Sequence, residues 1–187
     1  MTKTAFVAIV GCPNVGKSSL LNKMLGQKVA IVTQKPQTTR TRIMGVLTMG
    51  ETQLVFIDTP GLHKPRNVLG QTMVKAIEDS VSDVDAAMLV VDASEFKGEP
   101  SKADISLIER FKKQHIPAIL VINKIDLPNA DVDKVIGELE NLGFDRDKII
   151  KTSAKTGEGI KELVEAIINR IPSPKGNPND KLRALVF

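Results

Sequence analysis

The chain has 187 residues, of which 42% are hydrophobic and 26% charged, with a net charge of +4. This composition is typical of a globular domain and excludes a disordered or collagen-like chain. Cys12 is the one cysteine, so no intramolecular disulfide can form, and no apolar run approaches the roughly 20 residues that span a bilayer. We therefore expect a soluble, cytoplasmic protein without a signal peptide or membrane span.

Short apolar runs alternate with segments of helical periodicity along the chain. The alternation favours parallel strands with right-handed crossovers and helices on both faces, and a hairpin adds one antiparallel edge strand. The predicted fold is therefore α/β, a three-layer mixed six-stranded sheet. The predicted strands are 6–10, 42–48, 53–57, 86–91, 117–122 and 148–152, and the predicted helices are 18–25, 70–81, 102–114, 131–142 and 158–171.

Residues 172–187 interrupt this pattern. Pro172, Pro174, Gly176 and Pro178 lie close together, which predicts a linker, and residues 181–187 return to an apolar run. We expect one domain over residues 1–171 and a Pro/Gly linker with a terminal apolar segment over residues 172–187.

The strongest functional signal is Gly11-Cys12-Pro13-Asn14-Val15-Gly16-Lys17-Ser18, which matches G-x-x-x-x-G-K-[ST] between a predicted strand and a predicted helix. Loop N–H groups and a helix N-terminus bind phosphates, and glycine allows close approach. Lys17 is expected to reach the β- and γ-phosphates and Ser18 to coordinate Mg²⁺. An accidental Gly-rich turn is the alternative, which the strand–loop–helix context disfavours. The predicted nucleotide-binding residues here are Asn14, Val15, Gly16, Lys17, Ser18 and Ser19.

A second motif, Asp58-Thr59-Pro60-Gly61, ends a predicted strand. A carboxylate there can hold Mg²⁺ through a water, and Gly61 can turn its N–H toward a γ-phosphate. Taken alone, such an aspartate is more often a turn or cap residue. Its pairing with the phosphate loop favours the functional interpretation.

Two further motifs predict a guanine pocket. Asn123-Lys124-Ile125-Asp126 follows an apolar strand, and Asp126 can accept hydrogen bonds from the guanine N1–H and exocyclic amine, which adenine does not offer. Asn123 can fix the loop, and the Lys124 stem can cover the base. Ser153-Ala154-Lys155 follows the last predicted strand, where the Ala154 N–H could meet guanine O6. A plain polar turn is the alternative for the first of these motifs.

These motifs, in this order at strand ends, resemble those of the translation-factor-related GTPases. Residues 5–122 are similar to the G domain of the Era-like ribosome-assembly GTPases, and residues 121–187 to the end of the G domain of the LepA-like translational GTPases. The resemblance implies the P-loop GTPase fold with residues 1–171 as the G domain. Two origins would explain this double resemblance: the chain is a recombined or designed GTPase domain, or it is a natural, divergent family member. The stretches that carry the resemblance are 11–18, 26–28, 35–40 and 58–64 for the first family and 121–131, 153–157 and 171–176 for the second.

The resemblance also implies roles by position. Thr39 matches the switch threonine that ligates Mg²⁺ in the triphosphate state, with Thr38 as the fallback. Asn14 matches a loop asparagine that helps to bind K⁺, and a plain turn residue is the equal alternative. Leu62 stands where other GTPases place a water-orienting side chain, so slow hydrolysis is expected. The expected catalytic residues are Lys17, Thr39 and Gly61, and the expected Mg²⁺ ligands are Ser18, Thr39 and Asp58.

The expected function is Mg²⁺-dependent binding of GTP and GDP with slow GTP hydrolysis, as a conformational switch. One alternative is a guanine-nucleotide scaffold with negligible turnover. Another is a ribosome- or rRNA-associated factor that touches RNA through Lys35, Arg40 and Arg42, although a solvated loop face is the simpler interpretation of those side chains. The resemblance implies an RNA-binding KH domain in Era-like GTPases, and we do not expect one within these 187 residues.

Overall fold

The computed structural model describes residues 3–30, 43–58, 84–95 and 102–171. The helix predicted over 70–81 and the linker and terminal segment predicted over 172–187 lie outside them. No helix in the described ranges has both the length and the apolar character needed to cross a bilayer.

A single mixed sheet forms the centre of the described chain. The strands are β1 (Lys3–Val10), β2 (Ile43–Met49), β3 (Thr52–Asp58), β4 (Ala86–Asp92), β5 (Ala118–Asn123) and β6 (Ile150–Lys151). Their order in the sheet is β2-β3-β1-β4-β5-β6, with β2 antiparallel to β3 at one edge and every other neighbouring pair parallel. The predicted six-stranded α/β sheet with one antiparallel edge strand is thereby confirmed.

Helices cover both faces of this sheet. The described helices are α1 (Lys17–Leu25), α2 (Lys102–Gln114), α3 (Val132–Asn141) and α4 (Ile160–Arg170). Successive side chains of a strand point to opposite faces, so Val7 and Ile9 join a core cluster with α1 and α4, whereas Ala8 and Val10 join a second cluster with α2 and α3. Burial on both faces explains why the central strands are continuous apolar runs rather than alternating ones.

Several element boundaries differ from the prediction by one to three residues, and two of these differences have a local reason. The strand predicted over 148–152 shortens to β6 because Arg146–Lys148 forms a 3₁₀ turn, which begins at Asp145. The last helix starts at Ile160 rather than at residue 158, because Gly159 adopts φ +70°. A β-carbon at Gly159 would also overlap the Lys151 carbonyl oxygen, so the chain turns tightly between β6 and α4.

The parallel strands place their carboxyl ends at one rim of the sheet. The loops that follow β1, β3, β5 and β6 therefore all start from this rim, and they begin with the four sequence motifs. In open α/β sheets this is the rim where ligands bind.

Candidate nucleotide-binding site

Residues 11–16 form the loop that connects β1 to α1, and this loop packs directly against the sheet. A β-carbon at Gly11 (φ +141°) would overlap the carbonyl oxygen of Val90 in β4, so only glycine fits at this contact. Asn14 and Gly16 also have positive φ values, of +63° and +97°. The loop is thus tightly wound, and Asn14 is exposed on it.

Lys17 is the first residue of α1 and is 6% exposed. Its Nζ donates to the carbonyl oxygens of Gly11 at 3.0 Å and Cys12 at 2.8 Å, which holds the ammonium over the loop. The first turn of α1 contains no acidic residue. The positive potentials of the ammonium and of the helix N-terminus therefore reinforce each other at the place where a phosphate would bind.

Ser18 and Asp58 meet across 40 residues of sequence. Ser18 Oγ donates to Asp58 Oδ2 at 2.6 Å, and Asp58, at the end of β3, is fully buried. Hydroxyl and carboxylate oxygens are the hard ligands that Mg²⁺ prefers, so this pair fits a magnesium site beside the phosphate loop. Thr39 and Gly61, which the sequence predicts to complete the site, lie outside the described residues.

The Asn123 side chain joins the phosphate loop to the loops after β5 and β6. Its Nδ2 donates to the Val15 carbonyl oxygen at 2.8 Å, and its Oδ1 accepts from the Ala154 N–H at 3.1 Å. The Thr152 hydroxyl lies 3.3 Å from the same Oδ1. Asn123 is 1% exposed, so its amide group is shielded from water, which strengthens its hydrogen bonds.

The residues predicted to recognise the base lie together beyond Asn123. Ser153 Oγ donates to Asp126 Oδ1 at 2.7 Å and accepts from the Thr156 N–H at 3.1 Å. Because the Ala154 N–H is directed at Asn123, a guanine O6 would have to share that donor. Asp126 is half-buried, and Lys155 is exposed.

Three residues at this rim, Thr152, Asp92 and Ser94, belong to none of the sequence motifs. Thr152 is fully buried behind Asn123, and its hydroxyl also lies 3.2 Å from the Ile122 carbonyl oxygen. Asp92 ends β4 beside Lys124, and Ser94 donates to it. For Asp92 the available signal is a polar residue that ends a continuous apolar run, since β4 ends at the same rim as the motif strands.

The structure thus gathers most of the predicted site residues at one rim. Ser19 lies half-buried in the first turn of α1. The residues brought together there are Val15, Gly16, Lys17, Ser18, Asp58, Asn123, Lys124, Asp126, Ser153 and Ala154.

Comparison with known proteins identifies the family to which this chain belongs. A family model described as 50S ribosome-binding GTPase matches residues 6–124, which is more than half of the chain. The chain belongs to this GTPase family. Its sheet and helices are those of a P-loop GTPase G domain.

Members of the GTPase family resemble the chain over almost all of its length. It is 44% identical over 185 residues to the GTPase Era of Clostridium kluyveri, which covers 97% of this chain and 61% of the relative. A solved structure of Era in complex with MgGDPNP and nucleotides 1506–1542 of 16S ribosomal RNA superposes with a TM-score of 0.80 at 35% identity, covering 97% of this chain and 61% of that one. A variant of Aquifex aeolicus Era bound to GDP·AlF4⁻ gives a TM-score of 0.79 at 36% identity, covering 99% of this chain and 63% of that one.

These relatives also bear on the second resemblance. The similarity to Era covers 97% of the chain and so includes most of residues 121–187, and it gives no support to a separate LepA-like origin or to a chimera. The chain spans about three fifths of the length of the curated relatives that it matches.

Proposed function

We propose that this G domain binds GTP and GDP with Mg²⁺ and hydrolyses GTP slowly, as a conformational switch. The observation that carries the proposal is the Asn123 side chain, which joins the phosphate loop to the loops that carry Asp126 and Ala154. Phosphate recognition and base recognition therefore share one rigid frame. Family membership supports the same function.

Phosphate binding follows from charge and backbone direction at the amino end of α1. Lys17 and the helix N-terminus would neutralise the β- and γ-phosphates, and the loop N–H groups would bind their oxygens. Ser18 and Asp58 would hold Mg²⁺, which when bound supplies positive charge to the transferred phosphoryl group. Thr39 would complete this site in the triphosphate state, and Gly61 would turn its N–H toward the γ-phosphate.

Hydrolysis is tested by phosphate release from GTP. Wild-type protein is expected to release phosphate above the no-protein background, whereas Lys17→Ala is expected to lose at least about 100-fold, because the main counter-charge of the transition state is removed. Lys23→Ala, which removes a lysine from the last turn of the same helix, is the control. Equal release by wild type and Lys17→Ala would refute the enzymatic proposal.

Guanine selectivity rests on the Asp126 carboxylate, which Ser153 orients. Replacing the carboxylate by an amide changes the acceptor pattern that guanine requires, so Asp126→Asn is expected to prefer xanthosine over guanosine diphosphate. Titration calorimetry with both nucleotides and with ADP measures the change. An unchanged guanine preference would refute the base-pocket assignment.

Asn14 is the proposed K⁺ ligand. Asn14 is exposed and has a left-handed backbone conformation within the phosphate loop, so its side chain is accessible to a cation. GTP hydrolysis is expected to be faster in KCl than in NaCl at equal ionic strength, and Asn14→Ala is expected to abolish that difference. A wild-type rate that is equal in both salts would leave Asn14 as a turn residue.

Leu62 favours a second candidate, a nucleotide-binding scaffold with negligible turnover, since an aliphatic side chain cannot orient water. Protein that binds GDP tightly and yet releases no phosphate from excess GTP in KCl would establish it.

Contact with ribosomal RNA is a further proposal, motivated by the Era complex with 16S ribosomal RNA. Salt-sensitive binding of such an RNA to this chain would support it. The cytoplasmic location stays a prediction.

A further inference from the structure

Asp92, the last residue of β4, is a buried carboxylate that no sequence motif contains. It is 6% exposed. Its Oδ1 accepts from the Ser94 N–H at 2.8 Å and from Ser94 Oγ at 2.7 Å, and its Oδ2 forms an ion pair with Lys124 Nζ at 2.5 Å. Burying a carboxylate is costly unless it is paired. The pair therefore fixes the position of the Lys124 ammonium.

The backbone around Asp92 is tied to the loop after β5. Asp92 lies opposite Asn123 in the β4–β5 register, and the Ala93 N–H donates to the Asn123 carbonyl oxygen at 3.0 Å. Farther along, the Asp131 N–H donates to Ala93 O at 3.2 Å, and Asn129 Nδ2 donates to Ser94 O at 2.9 Å. The Asp92 carboxylate is thus held at a fixed place relative to the base-recognition loop.

Lys124 itself is held in an unfavourable conformation. Its φ is +65°, and the left-handed region costs a residue with a β-carbon roughly 1–2 kcal/mol. The Ile125 N–H, which donates to Thr152 O at 3.3 Å, anchors the backbone that follows. Asp92 anchors the other end of the residue, the tip of a side chain that is 27% exposed.

We propose that Asp92 is a positioning residue for guanine recognition. Its carboxylate holds the Lys124 ammonium in place. The four-carbon stem of Lys124 therefore forms one wall of the base pocket, next to Asp126, before the nucleotide binds. Because Asp92 neutralises this ammonium, Lys124 supplies an apolar surface rather than a charge for phosphate. The inference rests on the guanine-nucleotide site proposed above.

The test is the dissociation rate of N-methylanthraniloyl-GDP from the purified chain. Asp92→Asn keeps the size of the side chain and removes the ion pair, so dissociation is expected to be about tenfold faster. The preference for GDP over xanthosine diphosphate should persist, since Asp126 is untouched. Asp85→Asn is the matched control: it makes the same chemical change just before the opposite end of β4, where Asp85 Oδ2 accepts from the Phe6 N–H, and it should leave dissociation unaltered. Folded Asp92→Asn that dissociates at the wild-type rate would overturn the proposal.

A double-mutant cycle separates positioning from a purely structural role. In a Lys124→Met background there is no ammonium to hold, so adding Asp92→Asn should not accelerate dissociation further. An additional acceleration there would show that Asp92 does not act through Lys124. If Asp92→Asn alone does not fold, the comparison of Lys124→Met with the double variant still tests the proposal, because the double variant carries neither member of the ion pair.

The two proposals fail in different ways. Wild-type chain that does not bind the labelled GDP refutes the guanine-nucleotide function itself. Wild-type chain that binds it, together with a folded Asp92→Asn variant that binds equally well, refutes only the role of Asp92.

Discussion

Asn123 shows how one side chain can set the geometry of a whole site. Its amide bonds Val15, 108 residues earlier, and Ala154, 31 residues later. A β-carbon at Gly16 would overlap the Asn123 amide nitrogen, so the glycine of the phosphate loop is required by packing as well as by its φ of +97°. The sequence predicts that both residues belong to the site, but not that they touch.

Replacing Gly16 should damage both folding and binding. Gly16→Ala pays for a left-handed φ and also pushes against Asn123, so we expect a loss of roughly 2–4 kcal/mol of unfolding free energy. GDP affinity should fall by at least about tenfold, because the Asn123 bond to Val15 is broken. Urea unfolding and GDP calorimetry measure the two effects.

Gly26→Ala is the matched control for this variant. Gly26 also has a positive φ, of +66°, but nothing lies within 4 Å of a β-carbon built there. It should lose about 1 kcal/mol for the backbone alone and keep its GDP affinity. Equal affinity losses in the two variants would contradict the proposed contact.

At the scale of the elements, helix and strand boundaries follow the sequence where the local signal is unambiguous. The predicted and observed bounds of α2 coincide, at Lys102 and Gln114. β6 is shorter than predicted because Lys148 belongs to a 3₁₀ turn and because Thr152 turns inward toward Asn123. Residues 148–152 are rich in β-branched side chains, which favours a strand, and no pattern in them shows that the loop of the site begins at Thr152.

Asp131 is the N-cap of α3, and its side chain accepts from the Lys134 N–H at 3.1 Å. Asp131→Ala should therefore lower the unfolding free energy by about 1 kcal/mol. Lys134→Ala keeps that N–H and removes only an exposed side chain, so it should cost much less. Urea denaturation compares the two, and equal losses would contradict the capping role.

Asn22 ties α1 to the segment that follows it. Its Oδ1 accepts from the N–H groups of Val29 and Ala30, and its Nδ2 donates to the Ala30 carbonyl oxygen, all at 2.8 Å. Asn22→Ala should therefore loosen residues 27–30 and speed tryptic cleavage after Lys28 by several-fold. Asn22→Asp keeps the acceptor and should give an intermediate rate. A cleavage rate in Asn22→Ala equal to that of wild type would contradict this.

At the scale of the molecule, the site is assembled from distant parts of the chain. The phosphate loop precedes α1, whereas the loops with Asp126 and Ala154 follow β5 and β6. The contiguous motifs make these members predictable from sequence. The Asp92–Lys124 pair is not, since it depends on the β4–β5 register that sets Asp92 opposite Asn123.

A ligand that bridges these parts should stabilise the whole domain against unfolding. At GDP concentrations 100 times Kd, with Mg²⁺ present, the gain is about 2.7 kcal/mol, which raises Tm by roughly 5–10 °C for a chain of this size. Lys17→Ala should lose most of this shift, and ADP should produce little of it with the wild type. Scanning calorimetry measures all three, and equal shifts with GDP and ADP would contradict guanine selectivity.

The division of the site between β1–α1 and the β5–β6 region has a practical consequence. If the polypeptide were cut between Glu95 and Lys102, one piece would contain the phosphate loop and the other the base-recognition loops. Neither piece would have a complete pocket. Each piece would also carry one side of the β4–β5 seam. N-methylanthraniloyl-GDP would then bind only when the two pieces associate, and the fluorescence of its label would report that association.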